Sequence, residues 1–277
     1  MSQSLEELRA VAKRTRLRII RMLEEAGSGH PGGSLSAVEI VTALYFAKLR
    51  HRPHEPSWPQ RDRFVISKGH GVPVVYAAMA EAGYIQEAEL ATLRKIDSRL
   101  QGHPDHVRLP GIEAATGSLG QGLSVAVGMA FASRLDGAPY RVYCLLGDGE
   151  CQAGQVWEAA MTAGKYGLDV LTAIVDYNKV QLDGRVGDIM DLEPFRAKWE
   201  SFNWATQEID GNDLAAVLAA LDAATKMVGR PSVIIAHTTK GKGVSFMEAR
   251  HEWHGKAPSH EEAVRAIAEI EGRGGGV

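Results

Sequence analysis

The sequence predicts an α/β protein: a three-layer, doubly wound, mostly parallel sheet with helices on both faces. Three observations carry this. Short apolar runs alternate with helix-period segments along most of the chain, as in proteins built from βαβ units. In the middle, apolar strands over 141–146 and 170–175 flank a helical segment over 156–166, a βαβ unit of ordinary length. The 277 residues are 45% apolar, enough for a sizeable core, with neither an internal repeat nor a composition shift that would mark a linker. One domain over 1–277 is therefore expected.

Each element follows from local signals. Ser4 and Glu7 are spaced as a capping box ahead of a helix whose apolar positions recur at three and four residues through Leu23. Residues 27–33 break it, and Ser36 is placed to cap a second helix over 37–49. A loop with Pro53, Pro56 and Pro59 leads to a short strand over 63–67 that ends in Lys68-Gly-His-Gly71. Helical segments are expected near 74–81 and 87–96, then a loop over 102–117. A helix over 119–134 follows, whose Gly122, Ala126, Gly128 and Ala130 allow close packing. Beyond the βαβ unit, a turn-rich stretch around Asp183, Gly184 and Gly187 precedes a short helix near 194–199 and a strand near 204–209. A helix over 213–227 and a strand over 232–237 complete the alternation. Residues 238–258 read as a loop over the sheet edge, 261–271 as a last helix, and 272–277 as a flexible tail.

Composition excludes several classes of function. With 31 basic and 34 acidic residues, a net charge of −3 gives no footprint for nucleic acid or an acidic membrane surface. No stretch approaches the ~20 apolar residues of a membrane span, and the charged N-terminus has no apolar leader core. Cys144 and Cys151 lack metal-ligand spacing and read as structural thiols in a reducing cytoplasm.

The most informative run is Gly147-Asp148-Gly149-Glu150 at the end of a strand, with Asn178 thirty positions after Asp148 at the end of the next. Alone, Gly-Asp-Gly is a tight turn. Between strand and helix, it can present a carboxylate and closely approaching amides to a phosphate. Both polar residues fall at the carboxyl edge of one sheet, where open α/β sheets bind ligands. Asp and Asn oxygens with a backbone carbonyl suit Mg²⁺ or Ca²⁺, ligand phosphates completing the shell.

Four histidines stand beside glycine at element boundaries: His30, His70, His103 and His254. Imidazoles titrate near neutrality, so a ring of them suits proton shuttling on a polyhydroxylated substrate, and their spacings are not those of a zinc site. The glycine-rich segment over 111–122 either lets a ligand approach the backbone or is a flexible connection to a packed helix.

These residues together resemble the transketolase family, specifically its thiamine diphosphate-binding half. The matching segments are Ser28-Gly-His-Pro-Gly32, Ile66-Ser-Lys-Gly-His70, Gly102-His-Pro104, Thr116-Gly-Ser-Leu-Gly-Gln-Gly122, Leu146-Gly-Asp-Gly149, Asp176-Tyr-Asn-Lys-Val180 and Trp253-His-Gly255, in the family's order. The resemblance implies the thiamine diphosphate-binding fold. It assigns Asp148, Asn178 and the carbonyl of Val180 to a divalent cation, Mg²⁺ with Ca²⁺ or Mn²⁺ as substitutes. His70, Gly147, Gly149, Asn178 and His254 would bind the diphosphate end of the cofactor, and Gly117 and Leu119 its aminopyrimidine. His30, His103 and His254 would face the reacting carbons, as catalytic residues, while a two-carbon unit passes from a ketose to an aldose.

The family's pyrimidine-binding domain, with its activating glutamate, has no counterpart between Val180 and Val277. The resemblance therefore implies the N-terminal subunit of a split transketolase, an α2β2 heterotetramer with a C-terminal partner subunit. Two departures stand out: Ala153 where relatives carry a glutamate, and Tyr177 beside the metal-binding Asn. Glu150 is a candidate substitute for the former, and a phenol at 177 is expected to pack or donate a hydrogen bond. A 2-oxo-acid dehydrogenase component would share the Gly-Asp-Gly to Asn pattern but not the histidine loops as a set. Ala153 also raises the reading of a catalytically degenerate regulatory subunit.

Overall fold

Five apolar runs pair into one parallel sheet. The computed structural model describes residues 3–138 and 140–272. Its strands are β1 (Arg63–Ile66), β2 (Val142–Gly147), β3 (Leu171–Tyr177), β4 (Ala205–Asp210) and β5 (Ser232–His237), in spatial order β1-β2-β3-β5-β4. Every neighbouring pair is parallel. β2 and β3 are buried along their whole length, whereas edge strand β4 lets Glu208 and Asp210 reach solvent.

The two-residue period of the strands divides the core into two layers. Tyr143 and Leu145 of β2, with Ile174 and Ile234, face one side, where α1 (Leu5–Ala26), α3 (Val38–Ala43), α4 (Val72–Ala82), α9 (Leu214–Thr225) and α10 (His260–Glu271) pack. Val142, Cys144 and Leu146, with Ala173, Val175 and Ile235, face the other, under α5 (Gln121–Leu135), α6 (Gly154–Lys165) and α8 (Phe195–Ser201). This is the three-layer α/β arrangement expected. Two short helices, α2 (Pro31–Ser36) and α7 (Val186–Ile189), border the carboxyl edge of the sheet. No helix among the described residues is long and apolar enough to cross a membrane.

The Ser4 and Glu7 capping box forms as expected, and a second one, Ser259 with Glu262, starts α10. The helix expected over 37–49 forms over 38–48, but neither with the expected cap nor as one regular helix. Pro31, whose missing N–H costs nothing in a first turn, already starts α2, and the chain coils again as α3 before widening into a π-helical turn over Leu44–Lys48. Ser36 caps nothing; its hydroxyl donates to Asp176 at 2.6 Å. Only Glu87–Thr92 of the segment expected over 87–96 is helical, as a 3₁₀ turn. The flexible tail expected over 272–277 lies, from residue 273 onward, outside the described residues.

Candidate functional site

Four strands deliver their next residues to one place. β1 runs into Ser67-Lys68-Gly69-His70, β2 into Asp148-Gly149, β3 into Asn178, and β5 into Thr238-Thr239-Lys240. Because the strands are parallel, all four loops leave from the carboxyl edge.

Asp148 is buried just past β2. Its Oδ1 accepts from Gly149 N at 2.7 Å and its Oδ2 from Lys179 N, so each strand end braces the other. Asn178 Oδ1 accepts from Val180 N at 3.1 Å, while Nδ2 donates to Asp176. Val180 O accepts from Lys240 Nζ at 2.9 Å. Among the described residues no group of three or more His, Cys, Asp or Glu has the geometry of a metal site. Asp148 is the one carboxylate offered, so a cation here needs oxygens from its ligand, as expected for a diphosphate-bound divalent ion. Burial, and then the neighbouring Asp176, push Asp148 up to about 6.

The four glycine-flanked histidines, drawn from positions 30 to 254, converge. His30 lies 5.2 Å from His70, 5.5 Å from His254 and 6.5 Å from His103, ring centre to centre, and His70 lies 5.0 Å from His254. Burial lowers all four below the usual imidazole value, with nearby cations adding to it. His30 falls to about 4 and His254 to about 3, the latter helped by Lys240, whose Nζ sits 2.9 Å from His254 Nδ1. At neutral pH the ring cluster is uncharged, so each ring offers one N–H donor and one bare nitrogen acceptor. His251 has an exposed ring and stands outside the cluster.

Glycine is required where the loops touch. A Cβ on Gly117 would come within 3.0 Å of the His103 ring, and its φ of 155 already disfavours any side chain. A Cβ on Gly69 would meet Thr116 O at 2.6 Å, so the His70 loop rests on the backbone beside Gly117. Leu119 is partly exposed on the next turn.

Sequence reasoning missed the polar framework beneath. Asp176, fully buried, accepts from Lys68, Ser36 and Asn178 through Oδ2 and from Thr238 through Oδ1. Burial would raise its carboxyl, but Lys68 and these hydrogen bonds outweigh it and hold it low. Lys68 also donates to Gly33 O at 2.7 Å, and thereby ties the His30 segment to Asp176 at the end of β3. Lys240, with burial and Lys68 bringing it down to about 8, joins the Val180 carbonyl to His254. Lys68 stands in the matched segment Ile66-Ser-Lys-Gly-His70 with no role of its own assigned, and Lys240 was signalled only by its position just past a strand.

Glu150 does not stand in for an acid at 153. It turns inward, accepting from Gly120 N at 2.8 Å, from Gly147 N at 3.0 Å and from Ser67 Oγ. Ala153 backs the same glycine turn, its Cβ 2.9 Å from where Gly120 would carry one. Tyr177 behaves as expected, donating to Glu193 at 2.7 Å while stacking on Phe195. A recess of about 950 Å³ lies apart, between α1 and the start of α10, and salt-bridged pairs such as Arg18 with Glu87 wall it.

Residues 8–273 match the family model described as transketolase, thiamine diphosphate binding domain. The chain belongs to the transketolase family. It is 44% identical over 274 residues to the 6-deoxy-6-sulfo-D-fructose transketolase subunit of Clostridium sp. (strain MSTE9), covering 99% of this chain and 100% of that one. With an apulose-4-phosphate transketolase subunit of Actinobacillus succinogenes it shares 45% over 268 residues, 96% of this chain and 97% of that one. The transketolase of Campylobacter jejuni superposes with a TM-score of 0.92 at 33% identity over 97% of this chain. The chain spans 43% of that transketolase's length, and 42% of the human transketolase.

The site fits the cofactor of this family. Two of its buried nitrogens, His30 Nδ1 and Gln181 Nε2, have no protein partner, and Gln181 lies against Gly149. These two stand beside the histidine cluster and the Asp148 turn, where a ligand's polar groups could engage them.

Proposed function

We propose that this chain is the diphosphate-binding, N-terminal subunit of a two-chain transketolase. With a partner subunit that carries the pyrimidine-binding domain and its activating glutamate, it transfers a two-carbon glycolaldehyde unit from a ketose phosphate to an aldose phosphate in the cytoplasm. The observation that carries this is the convergence of His30, His70, His103 and His254 beside Asp148 and Asn178. A 2-oxo-acid decarboxylating component needs no such ring around its substrate. Support for the two-chain form comes from relatives named as subunits, which this chain matches over nearly their whole length.

Asp148, Asn178 and the Val180 carbonyl would hold Mg²⁺, with Lys240 released from Val180 O toward the diphosphate. Gly147, Gly149, Asn178, His70 and His254 would line the diphosphate, and Gly117 and Leu119 the aminopyrimidine. When bound, thiamine diphosphate supplies the nucleophilic carbon and the electron sink for C–C cleavage. His30, His103 and His254 orient the ketose hydroxyls. Being neutral, they can take a hydroxyl proton as the bond breaks and return it to the oxygen of the accepting aldose. Two such subunits with two partners form the expected α2β2 assembly.

The reading is tested by offering the reconstituted complex two substrate sets, with thiamine diphosphate and Mg²⁺ present. Two-carbon transfer between a ketose phosphate and an aldose phosphate is expected. Turnover of pyruvate with an electron acceptor, without ketol transfer, would overturn it in favour of the decarboxylating class.

A further inference from the structure

Gln181 and Leu182 have exchanged the places their chemistry would choose. Leu182 is 59% exposed, whereas the side chain of Gln181 turns inward until its Nε2 is shut off from solvent. Water ordinarily claims the amide and the core claims the leucine. The cause is the backbone. Val180 and Arg185 pair as an antiparallel bridge, Gln181 N donates to Gly184 O at 2.9 Å and Val186 N to Lys179 O at 3.0 Å, which closes a hairpin on the end of β3. Lys179, left-handed at φ 66, sets that hairpin against the Asp148 turn by donating its N–H to the Asp148 carboxylate.

The amide that results is packed but not bonded. A Cβ on Gly149 would lie 3.1 Å from Gln181 Cβ and 3.5 Å from its Oε1, so the side chain rests directly on that glycine. Among the described residues no acceptor meets Nε2. The oxygens nearby are engaged: those of Asp148 by Gly149 N and Lys179 N, Asn178 Oδ1 by Val180 N, and the Val180 carbonyl by Lys240. A buried donor without a partner destabilises the free protein, and the hairpin holds it there.

We propose that Gln181 is a cofactor-binding residue whose Nε2 donates to an oxygen of the diphosphate that Gly149 lines. The inference rests on the transketolase reading and deepens its cofactor site. Phosphate oxygens accept and never donate, so they take the N–H end of the amide. A neutral donor suits this place. A lysine or arginine would repel the divalent cation expected beside Asp148, whereas an amide adds a hydrogen bond without adding charge.

The test compares wild type with Gln181→Met, which keeps the length and removes both polar ends, and Gln181→Glu, which keeps the shape and adds a charge. Without ligand, Gln181→Met should melt no lower than wild type, because the atom it removes is an unbonded donor. On the two-chain complex with Mg²⁺, calorimetry should show Gln181→Met binding thiamine diphosphate and inorganic pyrophosphate each on the order of tenfold more weakly, a hydrogen bond to a charged group being lost. Gln181→Glu should bind both more weakly still. Unchanged affinity would overturn the proposal, and so would weaker binding together with a melting temperature well below wild type, the mark of a structural prop. A loss for thiamine diphosphate with none for pyrophosphate would also overturn it, by moving the contact off the diphosphate. If the wild-type complex transfers no two-carbon unit while Gln181→Met still loses pyrophosphate binding, the transketolase reading fails and the diphosphate contact stands.

Discussion

Asn178 donates its carboxamide Nδ2 to Asp176 Oδ2 across 3.1 Å, which turns Oδ1 away from Asp176 and toward Val180 N. Asp176 is in turn neutralised by Lys68, and both side chains are almost wholly removed from solvent. Removing one partner of a buried pair strands the other charge. Asp176→Ala should therefore cost about 3–5 kcal/mol of stability in denaturant unfolding and weaken Mg²⁺ binding as well. A loss below about 1 kcal/mol would mean the pair is not the anchor described.

Asp148→Ala should behave differently. It removes a ligand and two local hydrogen bonds but no core volume, so the fold should persist while Mg²⁺-dependent retention of thiamine diphosphate disappears. Calorimetry on the reconstituted complex reads this directly; unchanged cofactor affinity would remove Asp148 from the metal site.

The raised value of Asp148, about 6 against 3.8 for a free carboxyl, gives a pH dependence with a definite sign. In the metal-free chain the protonated form is favoured by folding, so its contribution is complete below 3.8 and is lost as pH rises through about 6. Mg²⁺ binds the ionised form and offsets that loss. Added Mg²⁺ with cofactor should then raise the melting temperature more at pH 7.5 than at pH 5. An equal rise at both would contradict the assignment.

Much of this was legible in the sequence, and what was not has a physical reason. The strands were found within a residue or two because their apolar runs stop where the chain turns polar at the sheet edge. The histidines were found because each sits beside a glycine at an element boundary. The helix expected over 37–49 forms over 38–48, its second half as a π-helical turn, but without the expected cap, because Ser36 spends its hydroxyl on Asp176, 140 residues away. Lys68 and Lys240 were overlooked for the same reason. Lysine normally stays in water, and only partners from distant strands, Asp176 for one and the Val180 carbonyl for the other, bring each inside.

Gly69→Ala tests how tightly the loops are set. The added methyl would collide with Thr116 O at 2.6 Å, and backbone cannot swing aside as a side chain can. Overpacking of this kind costs about 1–3 kcal/mol. The displaced His70 loop should also lower cofactor affinity, and wild-type affinity in this variant would show that the contact does not position His70.

The central claim is that this chain holds one end of the cofactor and another polypeptide completes the site. Two-carbon transfer from a ketose phosphate should be absent with this chain alone and with the partner alone, and should appear, dependent on thiamine diphosphate and Mg²⁺, when the two are mixed. Full transfer by this chain alone would contradict the division of the site, and no transfer by the mixture would contradict the function.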